Sequence, residues 1–264
     1  QCLPCRINRR RLWTHRIMLE SLKHENSSFI TLTYDQEHLP EDGSVNPKHV
    51  QDWLKRLRKA IHPHTIRYFA VGEYGDRTWR PHYHVCLFGL GVMHADLICQ
   101  TWGLGHTFTG TLNAHSAGYC AGYVTKKMTS KDDSRLNGKH PEFSRMSLRP
   151  GIGATAMDEV ADVLNTSHGA LSIARSGDVP LSLKHGGRDM PLGRYLRSKL
   201  REQLGIPEMG FSSKALQEKS AEMSALFLRH KASTPFSKSA VYSTLNKGKI
   251  RSIETKFKIY SQKG

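Results

Sequence analysis

Apolar and polar positions along the chain follow two rhythms, and each predicts its own element. From Ser28 to Tyr34 the run Ser-Phe-Ile-Thr-Leu-Thr-Tyr sets Ile30, Leu32 and Tyr34 on one face at period two, and its β-branched and aromatic content favours a strand. A turn-rich stretch follows to Pro47. Val50, Trp53, Leu54, Leu57 and Ile61 then recur at helical spacing, with Asn46 as N-cap and Pro47 at the first helical position. Ile66 to Gly72 and His82 to Phe88 read as neighbouring antiparallel strands joined by the hairpin-like stretch Glu73 to Pro81. A short helix is expected around His94 to Trp102, a Gly-punctuated strand around Gly105 to Leu112, and a helix capped by Ser116 and running to about Met128.

The order β, α, β, β, α, β, α predicts an α+β fold, a central antiparallel sheet with flanking helices, followed by a basic helical C-terminal extension. Past Ser130 the signals are shorter. Lys131 to His140 is polar and reads as a loop, Asp158 to Leu164 as a helix, and Ala170 to Leu183 as a small hairpin. Helices are expected at about 192 to 203 and 213 to 230, and the last 30 residues, rich in Ser, Lys and Thr, are expected to order only on a partner. The expected division is 1–27, a basic segment with a Cys-x-x-Cys; 28–150, the sheet domain; 151–204, a distal segment; and 205–264, a basic tail that is helical and then flexible.

Charge narrows the partners. Among 264 residues, 39 Lys and Arg against 23 Asp and Glu give +16 at pH 7, well beyond the ~2 to 8 that keeps a small domain soluble. A polyanion is the expected partner, nucleic acid before an anionic surface. Residues 188 to 264 carry +10 of the surplus. The sequence holds no apolar run of the ~18 residues that a membrane span needs, so no membrane is expected. The start, Gln1-Cys2-Leu3-Pro4-Cys5-Arg6, has neither a Met nor an apolar leader region, and further residues are expected upstream. Five Cys fit a reducing compartment. Cys2 and Cys5 offer half of a zinc site, short of the four ligands structural zinc takes. Cys86, Cys99 and Cys120 are each isolated among apolar neighbours and read as core.

His82-Tyr83-His84 lies in the strand within Arg-Pro-His-Tyr-His-Val-Cys, where period two sends both imidazoles to one face and Tyr83, Val85 and Leu87 to the other. Two imidazoles side by side make half of a metal site. Alone the pattern is weak, because roughly one His-x-His arises by chance in such a composition; His62-Pro63-His64 is a second, set in a Pro-broken loop. Tyr119 and Tyr123 add information, standing four apart on a helix with Lys126 and Lys127 just beyond, so that all four crowd one side. The basic face of the first predicted helix, Lys55, Arg56, Arg58 and Lys59, could track a DNA backbone, with Arg80 a further contact. Gly151-Ile152-Gly153-Ala154-Thr155-Ala156 imitates a dinucleotide fingerprint but follows Arg-Pro rather than a strand, so it reads as a loop leading to a helix whose N-terminus could hold a phosphate.

Together the His pair and the Tyr pair resemble the HUH endonucleases, single-strand nickases with two metal-binding His around a hydrophobic residue and one or two nucleophilic Tyr. Phe29-Ile30-Thr31-Leu32-Thr33-Tyr34-Asp35 is similar to the strand that opens these nuclease domains. Gly72-Glu73-Tyr74-Gly75, Arg80 to His84, Tyr123 to Met128, Arg149 to Gly153 and Met190-Pro191-Leu192 with Arg194-Tyr195 resemble the rolling-circle initiators of gokushovirus-type microviruses, over about residues 2 to 200. The resemblance implies Mg²⁺ or Mn²⁺ on His82 and His84 with a carboxylate, Glu73 first and Asp76 as fallback. It implies attack by Tyr123 or Tyr119, with Tyr123 favoured as the first nucleophile, and Lys126 or Lys127 stabilising charge. The product would be a 5′-phosphotyrosine and a 3′-OH. Single-stranded DNA at a replication origin would be the substrate and a host DNA polymerase a partner, in the cytoplasm of the host bacterium. No Gly-x-x-x-x-Gly-Lys-Ser/Thr motif occurs, so a host helicase is expected as well. The rival readings are a plasmid relaxase or transposase and a non-catalytic basic DNA-binding protein.

Overall fold

A computed structural model describes residues 3–123, 133–206, 214–231 and 246–255. The chain is α+β: a five-stranded antiparallel sheet in the order β4-β1-β3-β2-β5, covered by helices on both faces. Its elements are α1 (Leu3–Ser21), β1 (Ser27–Thr33), α2 (Pro47–Ala60), β2 (Arg67–Tyr74), β3 (Pro81–Phe88), α3 (Ala95–Trp102), β4 (Thr107–Thr111), α4 (Ala114–Tyr123) and β5 (Phe143–Met146). The distal segment adds α5 (Met157–Leu164), α6 (Ser167–Ser176), the hairpin β6 (Ser182–His185) and β7 (Arg188–Pro191), and α7 (Gly193–Gln203), with α8 (Lys214–Lys231) further on. No helix among the described residues is long and apolar enough to cross a membrane.

The period-two pattern separates two cores. Ile30, Leu32, Tyr34, Ala70, Tyr83, Val85 and Leu87 face α2 and α3, where Trp53, Leu57, Ile98 and Trp102 are buried. Asn46 caps α2 as its sequence predicts, its side chain accepting from the Lys48 N–H. Phe69, Val71, Cys86 and Phe88 face the other way, toward Ile17 of α1 and Ala117, Cys120 and Ala121 of α4. The central strands β2 and β3 are nearly all buried because helices lie over both faces.

Several expectations change. Residues 3–21, read only as a basic segment, form α1, and its Arg-rich surface hides the weak apolar stripe that packs it. The hairpin predicted at 170–183 is instead helix α6 followed by the β6–β7 hairpin, which starts at Ser182. A fifth strand, β5, pairs with β2 at the edge. It needs Gly72 opposite Phe143, since a Cβ there would lie 2.5 Å from the Phe143 ring. Cys99 is exposed, whereas Cys86 and Cys120 are buried. In the tail, α8 is the helix expected at about 213 to 230, and residues 246–255, within the stretch expected to order only on a partner, are helical as well.

A third core joins α5 and α7 to α1 through Leu19, Met157, Leu192, Leu196 and Leu200. Buried Glu20 fastens this unit to the sheet: it pairs with Arg67 of β2 and accepts from the Gly153 N–H at 2.6 Å. The Gly151 N–H donates to the Tyr195 hydroxyl at 2.8 Å. The 151–156 segment is thus a loop leading to a helix, but these N–H groups are spent on packing rather than presented to a phosphate.

Candidate metal and tyrosine site

The register of β2 and β3 sets Glu73 opposite His82 and Val71 opposite His84. Period two then turns Glu73, His82 and His84 to the α4 face, and Tyr83 to the other. Glu73 is only 2% exposed, a strand residue rather than a loop acid. His82 Nε2 and His84 Nε2 lie 2.9 and 3.0 Å from the same oxygen, Glu73 Oε1. The far side of each ring is also held. His82 Nδ1 is 3.1 Å from the Arg80 carbonyl oxygen, which can only accept, so the ring's proton sits on Nδ1 and Nε2 offers its lone pair. His84 Nδ1 is 3.0 Å from Thr31 Oγ1 on β1.

Two imidazole lone pairs and a carboxylate oxygen converging on one point repel one another unless a cation lies among them. The ligand atoms all fall within 4.8 Å of each other, and this mixed nitrogen and oxygen set suits a divalent metal. It is the one group of three or more such side chains among the described residues. Asp76 lies exposed in the β2–β3 turn, outside the group. His62 and His64 are exposed and outside it too.

Helix α4 brings the tyrosines. Its cap is Asn113, whose side chain accepts from His115 N–H and Ser116 N–H at 2.9 and 3.0 Å; Ser116 sits in the first turn instead of preceding it, because its hydroxyl turns back onto Asn113. From there the i, i+4 spacing aims both phenols at β3. Tyr119 is 40% exposed, and its hydroxyl lies 3.4 Å from His84 Nε2. The Tyr123 ring stacks on His84 at 5.5 Å between centroids and 17° between planes, and meets Tyr119 edge to face at 5.0 Å. Burial first, then the hydrogen bond to Tyr119 and the Glu73 charge, pushes the Tyr123 phenol well above its ordinary range. It is therefore held as the neutral phenol, and attack by it requires help in giving up its proton.

Three contributors were not singled out from the sequence. Phe29 stacks on the other side of His84 at 5.6 Å, and Thr31 fixes that ring's Nδ1. Both lie in the quoted β1 motif, but only the cross-strand register shows that they meet His84. Arg10 of α1 donates from Nε to the Gly118 carbonyl at 2.8 Å and lies against Gly122, putting a guanidinium beside the residue preceding each tyrosine.

The basic residues are placed differently. Arg80 donates to the Tyr34 and Asp35 carbonyls at 2.9 and 3.0 Å and anchors the loop after β1. Arg56 ties α2 to the end of α3 through the Thr101 and Trp102 carbonyls. Lys55 pairs with Asp52, Arg58 lies over the Tyr68 ring, and Lys59 is exposed. These α2 residues stand across the sheet from the His and Tyr groups. Cys5 is exposed. Cys2, Lys126 and Lys127 lie outside the described residues.

An acid and two His on adjacent antiparallel strands, under a helix with paired Tyr, set the class of protein with which the chain compares. Residues 27–128, which hold β1 to β4 and α4, match the family of the replication-associated protein ORF2. The particular relatives are phage proteins. The chain is 35% identical over 176 residues to "Replication-associated protein ORF2" of Spiroplasma virus 4, covering 58% of this chain and 54% of that protein. It is 25% identical over 285 residues to "Replication-associated protein VP4" of Bdellovibrio phage phiMH2K, covering 98% and 89%. "Replication-associated protein ORF4" of Chlamydia phage 1 is 28% identical over 168 residues, 53% of this chain and 42% of that protein. The chain thus spans about half the length of the first and third relatives and most of the second. No solved structure matches it.

Proposed function

We propose that the chain is a replication initiator that nicks single-stranded DNA by tyrosine transesterification and rejoins the ends. One observation carries this reading: two phenols, at 3.4 Å and in ring contact, abut an imidazole that shares a carboxylate oxygen with a second imidazole. A protein that only binds DNA has no need to set nucleophiles against such a cluster, since burying each of these groups carries a desolvation cost.

In the proposed step the Tyr119 or Tyr123 oxygen attacks the scissile phosphorus. The new bond is Tyr O–P and the broken bond is P–O3′; the phenolic proton is given up, the 3′ oxygen gains one, and the products are a 5′-phosphotyrosine and a 3′-OH. Glu73, His82 and His84 would hold Mg²⁺ or Mn²⁺, which supplies charge that polarises a phosphate oxygen. Arg10 offsets negative charge from the α1 side, and Lys126 and Lys127 are assigned the same task. Two phenols allow the cycle to close: one holds the 5′ end while the other cuts the regenerated site, and the released 3′-OH then attacks the older phosphotyrosine. Tyr119 is the more accessible and Tyr123 the more enclosed, so they suit different turns of that cycle. Extension of the 3′-OH by a host polymerase, with a host helicase opening the duplex, completes the role.

The test is incubation with a single-stranded oligonucleotide carrying the viral origin in Mn²⁺ or Mg²⁺. A covalent protein–DNA adduct visible on a denaturing gel is expected, absent with chelator and absent in the Tyr119→Phe, Tyr123→Phe double variant. An unchanged adduct yield in that variant would overturn the reading, and metal dependence lost only on replacing His62 and His64 would relocate the site.

A further inference from the structure

A cavity of about 880 Å³ lies between α1, the first turn of α4 and the β6–β7 hairpin, within the about 300–1,000 Å³ typical of small-molecule sites. None of its residues belongs to the metal group. Its floor is apolar and adaptable, with Met18 from α1 and Met190 from β7. Its rim is cationic: Arg10 and Arg11 from α1, and Arg188 from the hairpin. Arg10 and Arg11 are each fastened to the fold by donating to a backbone carbonyl, of Gly118 and Asp189, at 2.8 and 2.7 Å. A guanidinium carries five N–H donors, so each keeps others for an anion. His15 in the wall is buried; its Nδ1 donates to the Pro191 carbonyl at 2.9 Å, while Nε2 has no hydrogen-bond partner.

An apolar floor, a rim of three guanidiniums and a buried ring nitrogen that can only accept describe an occupant with a flat heteroaromatic part bearing N–H groups and an anionic part. A nucleotide has both. The tail reaches the edge of the cavity through Ile253 and leaves its volume open, and being itself basic it does not complement a cationic rim. Position agrees. Ala114 lines the cavity, and Tyr119 stands five residues further along the same helix, about 7.5 Å at 1.5 Å per residue. Arg10 spans the interval, reaching from the cavity rim to the carbonyl of Gly118.

We propose that this cavity receives one nucleotide of a bound DNA strand, the base on the methionine floor and a phosphate on the arginine rim, so that a neighbouring phosphate reaches Tyr119. The proposal rests on the reading of the chain as a DNA strand-transfer protein, but its test needs no cleavage. Binding is measured in chelator, by fluorescence anisotropy, for the whole chain with a dA12 strand, an abasic strand of equal length and charge, and free dAMP. Ala114 is exposed, so Ala114→Trp can block the cavity mouth without entering a core; Arg188 is exposed as well, and Arg188→Ala removes one rim charge. Thermal unfolding confirms that both variants are folded.

Wild type is expected to prefer dA12 over the abasic strand at least tenfold, with the preference falling threefold or more in Ala114→Trp. Arg188→Ala is expected to weaken both strands alike. Weak or absent binding of dAMP fits a strand as the occupant, whereas dAMP binding as tight as dA12 assigns the cavity to a free nucleotide and overturns the proposal. A base preference unchanged in Ala114→Trp also overturns it. Adduct formation by wild type bears only on the earlier reading: an unmoved preference alongside normal adduct sinks the cavity alone, and a cavity-dependent preference without adduct sinks the chemistry alone.

Discussion

Thr31 illustrates how much of the site depends on a residue that touches no candidate substrate. Its hydroxyl, 3.0 Å from His84 Nδ1, fixes the ring that Phe29 and Tyr123 sandwich. Partners behind a metal-ligating imidazole commonly govern metal affinity by 10- to 100-fold. Thr31→Val keeps the shape and removes the hydroxyl, so Mn²⁺ affinity measured by calorimetry is expected to fall about tenfold with the fold intact. Glu73→Ala is expected to abolish measurable Mn²⁺ binding, while Asp76→Ala, outside the cluster, leaves it unchanged; the reverse order would move the carboxylate ligand into the turn. The sequence displays the His pair and its face because period two is a local property. It does not display Thr31 or Arg10, whose roles come from strand register and from the way α1 lies on α4.

Elements were legible where local signals agree and obscure where burial is supplied from elsewhere. Asn46-Pro47 and five apolar positions announce α2, and alternation announces β1 and β3. α1 is hidden because it buries His15 and Glu20 among its few apolar contacts. β5 is hidden because Phe143-Ser144-Arg145-Met146 is short and gains strand form only by pairing with β2. Glu20 is the clearest case of a charge that joins elements. Burial alone would raise its carboxyl pKa, but His24, the Gly153 N–H and Arg67 outweigh this and hold it below the usual value. A depressed folded pKa means that the contribution is whole above the unfolded value of about 4.3 and fades as pH falls through the lower folded one. Glu20→Gln leaves Arg67 facing a neutral partner, and a broken buried pair costs about 3 kcal/mol or more. The variant's thermal midpoint is expected to drop by several degrees at pH 7 and by distinctly less at pH 3. An equal deficit at both pH values would show that packing, not charge, joins α1 to β2.

At the scale of the whole molecule the charge of +16 is divided among surfaces with different tasks. Arg10, Arg11 and Arg188 stand near the tyrosine face, while Lys55, Arg58 and Lys59 of α2 stand behind the sheet. A strand engaging both must pass around the sheet edge, so phosphates held on α2 add affinity without directing the reacting one. The tail is a third source, since residues 205–264 hold 11 Lys and Arg against 4 Asp and Glu. Each phosphate neutralised on a single strand contributes about 0.7 to the slope of log affinity against log salt. Deleting 205–264 is therefore expected to flatten that slope by about 0.7 for every phosphate the tail had neutralised, measured with a long single-stranded oligonucleotide across a several-fold range of salt. Metal-dependent adduct formation on a short origin oligonucleotide should persist, because Glu73, His82, His84, Tyr119 and Tyr123 all belong to β2, β3 and α4. Loss of the adduct in a deletion variant that still unfolds cooperatively would place part of the reacting machinery in the tail, and an unchanged slope would show that its charges meet no phosphate.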